Sequence, residues 1–148
     1  SAHRPSGPDP HRMNRTLPHV LIVEDDDSRT EWMMREAPLA RWHRARTEQE
    51  ALHYLAQTAS GQREPYRAVF LDYDLHGSYG GGGEHVAAAL IRGHYQGIVV
   101  VHSSNLGDGA QMAVDLARHR MNVIHAPAYR SPKSPSRWRF ALRLARHS

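Results

Sequence analysis

Four short apolar runs interrupt an otherwise polar chain, and each ends in residues with acid–base or hydrogen-bonding chemistry. Val20-Leu21-Ile22-Val23 leads into Glu24-Asp25-Asp26-Asp27, and Ala68-Val69-Phe70-Leu71 into Asp72-Tyr73-Asp74-Leu75-His76. Ile98-Val99-Val100-Val101 leads into His102-Ser103-Ser104-Asn105, and Val123-Ile124 into His125-Ala126-Pro127. Unbroken runs rich in Val and Ile fit strands buried on both faces of a parallel sheet. Ligands of such sheets bind beyond the carboxyl ends of the strands. The pattern therefore gathers carboxylates, histidines and a serine at one edge.

Helical signals fill the gaps between the runs. Ser28-Arg29-Thr30-Glu31 reads as a capping box opening a first helix that Pro38 ends, and Thr47-Glu48-Gln49-Glu50 reads as another. The second box opens a helix with Ala51, Leu52, Leu55 and Ala56 as its inward stripe, stopped at Ser60-Gly61. A short strand near His43–Arg46 separates the two helices. Later helices are expected over 84–92, 109–120 and 136–147, with strands at 19–24, 67–72, 97–102 and 121–125. The Gly80–Gly83 run lacks the Gly-Lys-Ser/Thr ending of a P-loop. It reads as an unconstrained surface loop rather than a lid. The βα alternation with right-handed crossovers predicts a doubly wound, five-stranded parallel α/β sheet of order 2-1-3-4-5.

The length of 148 residues fits one domain. Residues 1–18 are expected to form a flexible basic arm, and residues 19–148 the domain, including a basic C-terminal helix. With no cysteine, neither a disulfide framework nor a thiolate metal site can form. No apolar run approaches the ~18 residues of a membrane span, and a cytoplasmic protein is expected. The net charge of +4 is misleading, because residues 129–148 carry six Lys/Arg and no acid. The segment 19–128 carries fourteen acids against ten basic residues. The basic charge thus belongs to the ends, and there is no aromatic-rich basic strand or zinc-finger spacing to read nucleic acid.

Glu24, Asp25 and Asp72 are the candidate metal ligands. Their strands should be neighbours, with backbones roughly 5 Å apart. Clustered carboxylates repel unless a cation or an arginine lies among them. Hard oxygen ligands suit Mg²⁺ first and Mn²⁺ second. One of Asp26 and Asp27 is expected to serve only as a helix cap. His102 could be a satisfied core histidine, but it adjoins Ser103, Ser104 and Asn105, which can donate to a phosphate or oxyanion. His102, Ser103 and Asp72 are the catalytic candidates. Ser104, Asn105, Asp74 and His76 are candidates for holding phosphate. A one-residue slip of strand four would exchange His102 and Ser103 on the cleft face.

The run Val20-Leu21-Ile22-Val23-Glu24-Asp25-Asp26, with Asp72 ending strand three, resembles the receiver domain of response regulators over about residues 19–147. The resemblance implies that Glu24 and Asp25 bind Mg²⁺ and that Asp72 accepts phosphate. Two positions depart from that family. Its lysine before the proline after strand five is Ala126 here, and its strand-four Thr or Ser is replaced by His102-Ser103. Leu71-Asp72-Tyr73-Asp74-Leu75-His76-Gly77, His102-Ser103-Ser104-Asn105 and Gly109-Ala110-Gln111-Met112 are more similar to the cyclic-phosphate-processing receivers. That likeness implies a catalytic His and Ser beside retained acids, acting on a phosphate-containing small molecule or an RNA end. The alternative is a signalling module with a phosphorelay partner.

Overall fold

The computed structural model describes residues 17–36, 39–75, 81–103 and 106–126. In chain order these form β1 (His19–Val23), α1 (Asp27–Glu36), β2 (Arg41–Ala45), α2 (Glu48–Ala59) and β3 (Ala68–Leu71). α3 (Gly83–Arg92), β4 (Ile98–Val101), α4 (Leu106–Arg118) and β5 (Asn122–His125) follow. All the strand pairings are parallel, in the order β2-β1-β3-β4-β5. This is the predicted topology. Most of the arm and the expected helix over 136–147 lie outside the described residues.

Every residue of β3 and β4, and all of β1 after His19, is buried. The unbroken apolar runs follow from having helices on both sides of the sheet. On one face Leu21, Val23, Val69, Leu71, Val99 and Val101 pack with Ala51, Val86, Leu90, Met112 and Leu116 from α2, α3 and α4. On the other, Val20, Ile22, Phe70 and Val100 pack with Met33 of α1, and Trp42 meets Phe70 edge-on at 5.2 Å between ring centroids. Each fully buried aliphatic or aromatic side chain contributes about 1.5–3 kcal/mol. That burial fixes the backbone at the strand ends.

Several local expectations shift. α1 starts at Asp27, and its cap is Asp26, one of the two acids expected to serve so, rather than Ser28: Asp26 Oδ1 accepts the Arg29 N–H at 2.9 Å. Both residue types cap well, but Asp26 stands nearer the strand end, and an acid at Asp27 then suits the positive helix terminus. Thr47 caps α2 as expected, accepting the Glu50 N–H at 3.1 Å. The inward stripe of α2 is Ala51, Tyr54 and Leu55, while Ala56 is exposed. β2 comes earlier than its sequence signal, because pairing from His19↔Arg41 to Val23↔Ala45 sets its bounds. α4 begins at Leu106, before the expected Gly109.

Gly81–Gly83 are not an unconstrained loop, while Gly80 lies outside the described residues. Leu75 N–H donates to Gly81 O at 3.1 Å, Gly83 N–H donates to Tyr73 O at 2.9 Å, and Asp74 bridges Gly82 in antiparallel fashion. Gly81, Gly82 and Gly83 are buried. Gly82 has φ 112°, which favours glycine. A Cβ on Gly83 would overlap the Asp72 carbonyl oxygen. The run therefore clamps the chain just after Asp72. No helix among the described residues is long and apolar enough to cross a membrane.

Candidate active site

The ladder continues one residue past each strand. Asp72 N–H donates to Val23 O at 3.1 Å, His102 N–H to Leu71 O at 3.1 Å, and Ala126 N–H to Val101 O at 2.8 Å. With Val23↔Leu71, Leu71↔Val101 and Val101↔His125 in register, Glu24, Asp72, His102 and Ala126 form one row across the sheet. By alternation they share the face of Ile22, Phe70 and Val100. The His102 ring is 6.2 Å from that of Phe70. Strand four is thus set with His102, not Ser103, in the row.

The row is sealed. Glu24 is 0%, His102 1%, Asp72 2% and Ser103 0% exposed. Burying ionisable groups costs several kcal/mol each unless partners compensate, and the partners here are incomplete. Glu24 is the best served. Its Oε1 accepts from Arg29 Nη1 at 2.8 Å, and its Oε2 accepts from the Asp26 N–H at 3.3 Å. His102 Nε2 stands 3.4 Å from Glu24 Oε1, an ion-pair separation without hydrogen-bond alignment. Asp72 Oδ2 is 3.8 Å from Arg29 Nη1, and Asp72 Oδ1 finds no hydrogen-bond partner among the described residues.

These contacts drive the two carboxyls apart. Burial alone would raise Glu24, but His102 foremost, then Asp72 and Arg29, hold it well below the usual carboxylate range. Burial pushes Asp72 up to about 7, with help from the Glu24 charge and against the opposing effects of His102 and a Ser103 hydrogen bond. Two like charges this close do not both ionise freely, so Asp72 is the more readily protonated member of the pair and Glu24 the more acidic one. The site thus holds an ionised carboxylate, a carboxyl poised near neutrality and a buried imidazole.

One oxygen from each of Glu24, Asp25 and Asp72 lies within 4.8 Å of the others. Cis oxygens around Mg²⁺ are roughly 3 Å apart, so small side-chain movements would let the three close around a hard cation. The three-carboxylate donor set and the orphaned Asp72 Oδ1 both fit such an ion. Asp74 follows two residues beyond Asp72, half-buried, with its backbone bridged to Gly82. His76, Ser104 and Asn105 lie outside the described residues.

One participant, Arg29, escaped the sequence reading. Arg29 reaches both Glu24 and Asp72 from the first turn of α1. The signal for it was a cation one helical turn after an acidic run, at a helix end that disfavours cations. Gly109 lets α4 approach Ser103: a Cβ there would be 3.1 Å from Ser103 Cβ and 3.9 Å from His125 Nε2. The lysine position is filled by Ala126, which is buried in the apolar layer.

The same topology occurs in solved receiver domains. The signal receiver domain of a protein described as a Luxo repressor, from Vibrio parahaemolyticus, is 16% identical with a TM-score of 0.65, covering 88% of this chain and 91% of that one. The receiver domain of the Francisella response regulator 1452 is 16% identical with a TM-score of 0.62, covering 88% and 97%. The Mn²⁺-bound form of response regulator Rcp1 is 14% identical with a TM-score of 0.59, covering 88% and 90%. At these identities the likeness concerns the fold alone. No curated protein matches the chain. The family described as "Cyclic-phosphate processing Receiver domain" matches residues 20–118, which include the acids, the histidine and the glycine clamp. With well over half its length in that match, the chain belongs to the cyclic-phosphate-processing receiver family.

Proposed function

We propose that this protein is a metal-assisted phosphoesterase that opens a cyclic phosphate on an RNA end or a nucleotide. The observation that carries the reading is His102, buried at 1% exposure in one row with Glu24 and Asp72. A phosphoacceptor needs acids and a cation, but it has no evident use for an imidazole sealed among them. Glu24, Asp25 and Asp72 would hold Mg²⁺ or Mn²⁺, in keeping with the bound Mn²⁺ of the Rcp1 structure. When bound, the cation offsets phosphate charge.

The chain's own residues supply the rest. Water forms a bond to phosphorus as one ring P–O bond breaks. The proton that water loses and the proton that the released ribose oxygen gains both pass through His102. Ser103 donates to a phosphate oxygen, with Ser104, Asn105, Asp74 and His76 as further oxygen-orienting groups. The layer containing Phe70, Ile22 and Val100 keeps bulk water away from the imidazole.

Retention of Glu24, Asp25 and Asp72 favours a second reading, a signalling module phosphorylated on Asp72 by a phosphorelay partner. One experiment separates the two. The protein is incubated with Mg²⁺ and either a 2′,3′-cyclic nucleotide or a small acyl-phosphate donor. Hydrolysis that depends on His102 supports the esterase. A stable acyl phosphate lost in Asp72→Asn, without hydrolysis, supports signalling and sinks the esterase.

A further inference from the structure

Arg29 stands where helix energetics alone would not place an arginine. The first turn of a helix carries partial positive charge and disfavours cations. The Arg29 backbone N–H is already satisfied by Asp26 Oδ1 at 2.9 Å. Yet its side chain, 25% exposed, folds back over the strand ends, placing Nη1 2.8 Å from Glu24 Oε1 and 3.8 Å from Asp72 Oδ2. It thus pairs with Glu24 and stands beside Asp72, two of the three carboxyl groups of the candidate metal cluster. At the far end of the row, the position expected to supply a cation to phosphate holds the methyl group of Ala126.

We infer that Arg29 is a tethered cation that occupies the Glu24–Asp72 carboxylates in the metal-free protein and moves onto the phosphate when a divalent ion takes its place. This rests on the metal reading above and adds a step to it. Glu24 Oε1 cannot serve a divalent ion at full strength while it accepts from a guanidinium, so the two positive charges exclude one another. The released guanidinium has a planar fork that matches phosphate oxygens in pairs. Arg29 would then supply the positive charge that Ala126 cannot.

The test titrates Mn²⁺ alone into the wild type, Arg29→Gln and Arg29→Lys by calorimetry, then titrates inorganic phosphate at saturating Mn²⁺. Thermal unfolding checks that each variant is folded. Losing the resident cation should tighten Mn²⁺ binding in Arg29→Gln by about tenfold, within the 5–150-fold span of typical coupling between sites. Phosphate binding in that variant should weaken by a similar factor. Arg29→Lys should keep Mn²⁺ affinity near the wild type while still weakening phosphate, because it retains the charge without the fork. Unchanged or weaker Mn²⁺ binding in Arg29→Gln, or unchanged phosphate binding, overturns the inference while wild-type Mn²⁺ binding leaves the metal reading standing. If the wild type takes up no Mn²⁺, the metal reading itself is wrong, and the inference falls with it.

Discussion

Nε2 of His102 lies 3.4 Å from Oε1 of Glu24, with both side chains cut off from solvent. The two come from strands separated by β3, so the contact spans the row in which Asp72 is the middle member. A fold built only for stability gains little from such a contact, because well-packed apolar residues of similar volume are often neutral or better. The sheet's apolar layers offset the burial cost, and the proposed chemistry at its edge would be a reason to bear it.

The raised Asp72 carboxyl makes metal-free stability fall with rising pH. Its folded-state value of about 7 exceeds the ordinary carboxyl value of 3.8, so the folded state binds more protons between the two. Stability contributed by that proton is present below about pH 4 and lost as pH rises through 7. Glu24, held low, works oppositely: its contribution is present above its unfolded value near pH 4.5 and lost in stronger acid. His19 and His43, both held low by burial, act in the opposite sense, so the wild type is compared with Asp72→Asn, which keeps them. Urea unfolding from pH 4.5 to 8 should show the wild type losing stability relative to the variant, by on the order of 2 kcal/mol at pH 8. A wild type that gains on the variant as pH rises would refute the assignment.

Mg²⁺ or Mn²⁺ should reverse that loss. An ion that binds only the folded state stabilises it by about 2.7 kcal/mol at a concentration of 100 Kd. Thermal unfolding at pH 8 should shift upward with either ion. The shift should vanish in Asp72→Asn and shrink strongly in Asp25→Asn. An equal shift in all three proteins would place the ion elsewhere.

Glu24→Gln should behave unlike Asp72→Asn. It removes the carboxylate charge from beside Arg29 and His102, leaving the buried end of the guanidinium without its ionic partner. Breaking a buried pair from one side costs about 3–5 kcal/mol. Chemical denaturation at pH 7 should show destabilisation of that order, where Asp72→Asn is neutral or stabilising.

Gly83→Ala tests the clamp behind Asp72. A Cβ at this position would overlap the Asp72 carbonyl oxygen and come within 2.6 Å of Tyr73 Cα. Both obstacles are backbone, so the strand end itself must move. Overpacking typically costs about 1–3 kcal/mol, and a shifted Asp72 should weaken Mn²⁺ binding as well. Gly107→Ala, with open space around its Cβ, is the matched control.

The sheet was legible because parallel strands buried on both faces leave unbroken Val/Ile runs, and because a crossover fixes their order. The row of Glu24, Asp72 and His102 was legible for the same reason: each is the first polar residue after such a run. Register was not legible, since His102 and Ser103 are both polar and only the pairing Leu71↔Val101 decides between them. Ser28 and Asp26 are both good caps, so the start of α1 depended on where β1 ended. Gly81–Gly83 looked unconstrained because the glycines are held by backbone pairing with Tyr73–Leu75, which no side-chain pattern reports. Arg29 was hidden in a supposed capping box, where helix signals draw the eye to Ser28 and Glu31.

The central claim, that His102 moves a proton during opening of a cyclic phosphate, is tested most directly by the rate of 2′,3′-cyclic nucleotide hydrolysis with Mn²⁺ or Mg²⁺ in the wild type and His102→Ala. Mn²⁺ affinity measured alongside separates lost chemistry from a lost metal site. The expected result is metal-dependent formation of a phosphomonoester by the wild type. In the variant the rate should fall by about 10²–10⁴-fold, the usual contribution of general acid–base catalysis, with Mn²⁺ still bound. No turnover by the wild type, or equal turnover by the two proteins, would contradict the account.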